Sequence, residues 1–232
     1  MTLLEETIEF VNVNKNKRFA YETNITDPMT QSKAPYLELL LDAPYSEMLA
    51  EARALKHRYV HHRPQDGQGW RSLCLHGISA EKTGAPSEYG YTNHQAPYTW
   101  TEIAPLCPIT VDYFQNKFPY QSYDRLRFML MEPGGYIFPH SDNPECILGG
   151  AVNISLNNPQ GCRLVTTLGE VPFRDTGSAF LFNTHYTHAV HNASQEDRFH
   201  IIVHGTFAAE WQRLVRRSYR KALAKQINPS QS

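Results

Sequence analysis

No apolar run in the 232 residues approaches the roughly 18 needed for a membrane helix, so no spanning segment is expected. The N-terminus, MTLLEETIEF, lacks the basic start and long apolar core of a secretory signal. The four cysteines, Cys74, Cys107, Cys146 and Cys162, are scattered and form no CxxC pair. That spacing suits free thiols in a reducing compartment better than a disulfide framework, and cytoplasmic localisation is the expectation. Net charge is −1, which offers no basic surface for nucleic acid. Internal repeats and low-complexity tracts are also missing. What remains is ordinary for a globular protein, 41% hydrophobic and 19% charged, and long enough to bury a sizeable core without staples.

The chain reads as one domain in three stretches. Residues 1–120 carry helices, short strands and loops. Residues 1–35 read as an arm or edge strand, and PYSEMLAEARALKHRY (44–59) as a helix that Ser46 can cap. WRSLCLHGI (70–78) reads as a strand. Residues 79–98 form a long loop rich in Gly, Pro, Ser and Tyr, which suits a substrate-side role. A further helix is expected near 104–117. From 121 to 207 short apolar segments alternate with turn signals such as PGG and NNPQG. Six to eight strands in so short a span predict a mainly β fold of jelly-roll type flanked by helices. Residues 208–232 form an amphipathic helix whose apolar side should cover a sheet, and whose surface offers a contact for a homodimer.

Five of the eleven histidines crowd into 185–204: His185, His188, His191, His200 and His204. Upstream, PGGYIFPHSD sets His140 and Asp142 two apart, so that in an extended segment both reach one point. Imidazole and carboxylate together suit Fe(II) or Zn(II). A hairpin centred near Ala193 would oppose His188 to Arg198, on one face, and turn His185 and His191 to the other. His140, Asp142 and His188 then make a facial triad with open positions, and Arg198 supplies a planar fork for a carboxylate. Trp70, Arg71, His76, Tyr91 and His94 are candidates to shape a substrate pocket, while His61 and His62 read as solvated and His204 as too distant along its strand.

At these residues the chain resembles the aspartyl/asparaginyl β-hydroxylase family of Fe(II)/2-oxoglutarate-dependent dioxygenases. The resemblance rests on PGGYIFPHSD, on NISLNNPQGC, and on the run Phe182, His188, Val190, Asn192, Ser194, Arg198. It implies a double-stranded β-helix, cupin-like in architecture. It implies iron on His140, Asp142 and His188, and the distal carboxylate of 2-oxoglutarate on Arg198. The mammalian enzyme of the family has glycine in place of Asp142, and holds 2-oxoglutarate with further residues that correspond here to Met129, Gly150 and Val152. The co-substrate then needs other partners, for which Asn153 and His200 are candidates. With O2 as second co-substrate, the implied reaction hydroxylates an unactivated C–H of an amino acid, peptide or related small molecule and releases succinate and CO2. Desaturation and epimerisation belong to the same chemistry. Two other readings stand beside it: a zinc hydrolase or isomerase on a jelly-roll scaffold, which leaves Arg198 without a role, and a metal-free binding module.

Overall fold

The computed structural model describes residues 1–15, 17, 35–142 and 151–227, with side chains to residue 224. One strand organises it. β5 (Tyr120–His140) runs for 21 residues and is shared by the two sheets into which one continuous ladder curls. Its first half, up to Met131, pairs with β11 (Arg198–Phe207); its second half, from Tyr136, pairs with β10 (His188–Asn192). The change of sheet falls at the PGG turn signal. Gly134 sits at φ +72°, which side chains rarely adopt. A Cβ on Gly135 would meet Met131 Sδ at 2.6 Å and the Glu132 carbonyl at 2.8 Å. The glycine pair therefore permits the bend.

The other strands assemble on the two halves. On one side lie β6 (Val152–Ser155), paired with β11, then β9 (Ser178–Phe182) and β1 (Tyr36–Leu39). On the other side β10 pairs with β7 (Cys162–Thr166), which pairs with β8 (Gly169–Glu170). β3 (Gly67–Gly77) pairs with both halves of β5, from Gly67 opposite Ile137 to His76 opposite Leu126, and carries β2 (Val60–His61) and β4 (Thr99–Trp100). This alternation of successive strands between two facing sheets is the double-stranded β-helix that the sequence led us to expect.

Two cores follow from the strand faces. Phe128, Leu130, Phe199, Ile201 and Val203 point outward from the first sheet. They are covered by α2 (Tyr45–Ala54), α3 (Pro108–Asn116) and α4 (Ala209–Ile227). Trp211 of α4 is fully buried and stacks on Phe207, with ring centroids 4.8 Å apart. Met131, Ile137, Leu164, Phe173, Phe180 and Val190 fill one end of the space between the sheets. No described helix is long and apolar enough to cross a membrane.

Several local expectations change. Part of the N-terminal arm is a helix, α1 (Leu3–Asn14), started by a reciprocal Thr2–Glu5 capping box; residues 18–34 of that arm lie outside the described residues. α2 begins after Pro44, with no side-chain cap from Ser46, and ends in a separate tight turn at Lys56–Arg58. The largest correction concerns the hairpin. β10 and β11 do not pair; the turn between them crosses from one sheet to the other, because each strand finds its partners on a different half of β5. His188 and Arg198 thus face each other across the interior and are not cross-strand neighbours.

Asn192 fixes that crossing. Its buried Nδ2 lies within 2.8–3.2 Å of the carbonyls of Met131, Glu132 and Glu196, and its Oδ1 accepts from the Ser194 backbone and hydroxyl. Replacing Asn192 by Ala leaves buried carbonyls unpaired and should cost about 1–3 kcal/mol in urea unfolding. An unchanged midpoint would show that the crossing does not depend on this amide.

Candidate metal centre

The ends of β5 and β10 bring two histidines together. His140 and His188 are direct Cα partners in the ladder, and their ring centroids lie 4.3 Å apart. Each is tethered in the same way: His140 Nδ1 lies 2.8 Å from the Phe138 carbonyl and His188 Nδ1 3.0 Å from the Tyr186 carbonyl. A carbonyl only accepts, so each Nδ1 carries a proton, and Nε2 is the nitrogen each ring can offer to a metal. Asp142, just past the strand, is held by its backbone N–H on the Thr184 carbonyl (2.8 Å). Its Oδ2 is 3.9 Å from His188 Nε2. One donor atom from each of His140, Asp142 and His188 lies within 4.8 Å of the others.

The protonation states suit a cation. Burial, and next the neighbouring His140, push the His188 pKa down to about 4, partly offset by the Tyr186 carbonyl and Asp142. The ring is neutral near pH 7, as a ligand must be. Phe182 packs edge-on against it at 5.2 Å. His185 is exposed, and His191 is half-buried opposite Tyr136 and Arg163, away from this point.

The triad opens into a cavity of about 370 Å³ between the sheets. Arg198 lines it and is only 2% exposed. Its Nε donates to Asn158 Oδ1 (3.1 Å), its Nη1 lies 3.4 Å from His200 Nδ1, and its guanidinium carbon sits 4.9 Å over the Phe173 ring. Nη2 is buried with no partner. A buried guanidinium with an unused N–H is costly unless an anion completes it. His200 is buried too, and burial followed by the charges of Arg198 and Arg127 holds it well below the usual imidazole range. It therefore accepts from Arg198 through Nδ1, which leaves Nε2–H as a donor. Asn153 also lines the cavity, with its Nδ2 3.2 Å from the Ala151 carbonyl.

Other expectations divide. Trp70 lines the cavity, but Arg71 pairs with Glu132 at 2.8 Å, and His76 packs against Trp100 and Tyr123 away from it. Tyr91 and His94 are not among the lining residues. His62 is buried against Trp70, not solvated, with Nδ1 3.0 Å from both Thr83 and Ser72 hydroxyls; it and His204 both line the cavity. The sequence reading passed over Arg125, Arg127 and Asn158. Strand parity carried a signal for the first two, since they share a face with Met129 and Met131.

His188→Ala should abolish stoichiometric binding of Mn(II) or Fe(II) in a metal titration, whereas His191→Ala should retain it; the reverse pattern would reassign the centre. A second expectation concerns pH. His62, His188, His200 and His204 are all held below the ordinary value of 6.5, in each case first by burial. Below about 6.5 the unfolded chain binds more protons than the folded one, so stability rises with pH there. The metal-free protein should lose stability steadily as pH falls from about 6.5 toward 4 in urea unfolding. A flat profile would show that these rings are not buried and neutral.

No curated protein matches the sequence. Among solved structures, an α-ketoglutarate-dependent epimerase, SnoN from nogalamycin biosynthesis, shares 17% identity over 73% of this chain and 76% of its own, with a TM-score of 0.41. A prolyl-4-hydroxylase from Pseudomonas putida shares 13% over 87% and 98%, with a TM-score of 0.39. A 2OG-Fe(II) oxygenase family protein from Burkholderia pseudomallei shares 13% over 75% and 89%, with a TM-score of 0.46. The family model described as aspartyl/asparaginyl beta-hydroxylase matches residues 41–206, well over half of the sequence. The chain belongs to the aspartyl/asparaginyl β-hydroxylase family.

Proposed function

We propose that this Fe(II)/2-oxoglutarate-dependent hydroxylase acts on a small molecule or short peptide, with His140, Asp142 and His188 as its metal ligands and Arg198 as the anchor of 2-oxoglutarate. The observation that carries the reading is a pairing: three convergent donors within 4.8 Å, and a buried guanidinium with an unused N–H in the same cavity. Two imidazoles and a carboxylate fit Fe(II) and leave coordination positions free. Iron, when bound, supplies the activation of O2 that is coupled to decarboxylation of 2-oxoglutarate to succinate and CO2 and to hydroxylation of a C–H bond.

The chain's own residues orient and enclose. Phe138 and Tyr186 carbonyls fix the two rings so that their lone pairs converge. Asn158 and Phe173 hold the Arg198 fork in place for the distal carboxylate of the co-substrate, and His200 Nε2–H adds a neutral donor beside it. Ile137, Leu164, Phe182 and Val190 line the inner wall beside the metal end with apolar surface, while Asp142 sits on its exposed side. A zinc hydrolase would have no use for the unsatisfied Arg198. The cavity is near the lower bound of ligand pockets, about 300 Å³, and must hold co-substrate and substrate together. That favours a substrate of amino-acid size.

Anaerobic protein mixed with Fe(II) and 2-oxoglutarate should show the weak visible metal-to-ligand charge-transfer band. Arg198→Ala should still bind metal but need about 10- to 100-fold more 2-oxoglutarate to develop the band, the loss of a charge-assisted hydrogen bond of about 1.5–3 kcal/mol. A missing band in the wild type, or an unchanged requirement in the variant, would sink the proposal.

A further inference from the structure

The same cavity has a second cationic pole. Along β11 the inward residues are Arg198, His200, Ile202 and His204. Their neighbours on β5 run from Met131, opposite Arg198, to Arg127, opposite Ile202, and Arg125, opposite His204. The four residues from Arg198 to Ile202 set the Arg127 level about 14 Å along the strand from the Arg198 level. Arg125 and Arg127 both line the cavity there.

Neither arginine is spent on an ion pair. Arg127 is 5% exposed; its Nη1 donates to the Thr83 carbonyl at 2.7 Å, and its Nε is buried without a partner. Arg125 donates Nη1 to the Gly84 carbonyl at 2.8 Å, and its Nε is likewise buried without a partner. Among the described residues no carboxylate lies within ion-pair distance of either. Asp124, next in sequence, is engaged by Asn93. Arg63, at the rim, already has Glu88 at 3.6 Å and Asp66 at 3.8 Å. His62 and His204 add imidazoles that burial and these arginines hold uncharged. Two largely buried guanidiniums without a carboxylate beside them destabilise the free protein, and a bound anion would relieve both.

We propose that this pole receives an oxyanion of the substrate, a carboxylate or a phosphoryl group, gripped between Arg125 and Arg127. The substrate would enter with that group remote from Arg198 and present a C–H bond toward His140, Asp142 and His188. The word substrate rests on the hydroxylase reading; the anion site itself does not.

The test uses the full chain loaded with Mn(II) and saturating 2-oxoglutarate, so that Arg198 is already occupied. Melting temperature is measured with acetate against acetamide, and with methyl phosphate against trimethyl phosphate. One acid should raise it by about 3 °C at tenfold excess over its half-saturating concentration, and its neutral partner should not. The responding pair identifies carboxylate or phosphoryl. Arg127→Met and Arg125→Met should each remove that shift and keep the one caused by 2-oxoglutarate. Arg198→Met, with Mn(II) alone, should do the opposite. Should Arg127→Met fail to fold, Arg125→Met and the wild-type comparison of acid with neutral partner decide. The proposal is overturned if acids and neutral partners behave alike, if both methionine variants keep the shift, or if Arg198→Met removes it. An anion shift that survives while the 2-oxoglutarate shift is missing altogether would instead count against the hydroxylase reading alone.

Discussion

Everything in the site depends on one strand serving two sheets. β5 pairs with β11 before its glycine bend and with β10 after it. A single covalent segment thereby sets the distance between the arginine-bearing face and the histidine-bearing face. His140 and Asp142 follow from the far end of that strand, and Arg125 and Arg127 from its near end. The bend is a backbone event, made possible by Gly134 in the left-handed region and by the room a side chain on Gly135 would take from Met131.

Charge distribution in the interior then divides the labour. The candidate metal end holds the carboxylate and two imidazoles beside an apolar wall. The guanidiniums stand away from it at two levels of the first sheet, each with part of its hydrogen-bonding capacity unused. Such groups weaken a protein that has nothing to place against them. Their retention in one small cavity makes sense when anionic ligands complete them. The histidines on the same face stay uncharged, which limits the repulsion and leaves N–H donors where ligands can use them.

Much of this could be read from the residues. Alternating apolar segments separated by turn signals announced a β-rich double layer, and HxD with a later histidine announced the donors. The run from His188 to Arg198 was legible as a unit, but its geometry was not. Parity placed both side chains inward, yet it assumed a hairpin, because local sequence cannot show that Asn192 and Ser194 route the chain to another sheet. Arg125 and Arg127 belong to no motif in the sequence and gain a role only when strand pairing sets them in the cavity lining. His62 reads as solvated because its burial against Trp70 and its bonds to Ser72 and Thr83 come from the pairing of β2 with β3 and from the loop after β3.

In this reading one cavity holds a metal on His140, Asp142 and His188 and a keto acid that reaches from the metal to Arg198. An anomalous-diffraction crystal structure of the Mn(II)·2-oxoglutarate complex tests it most directly. A single metal peak among those three side chains, with the distal carboxylate of 2-oxoglutarate on the Arg198 fork, is the expected result. A peak at His185 or His191, or a co-substrate whose distal carboxylate lies on Arg127 instead, would contradict it.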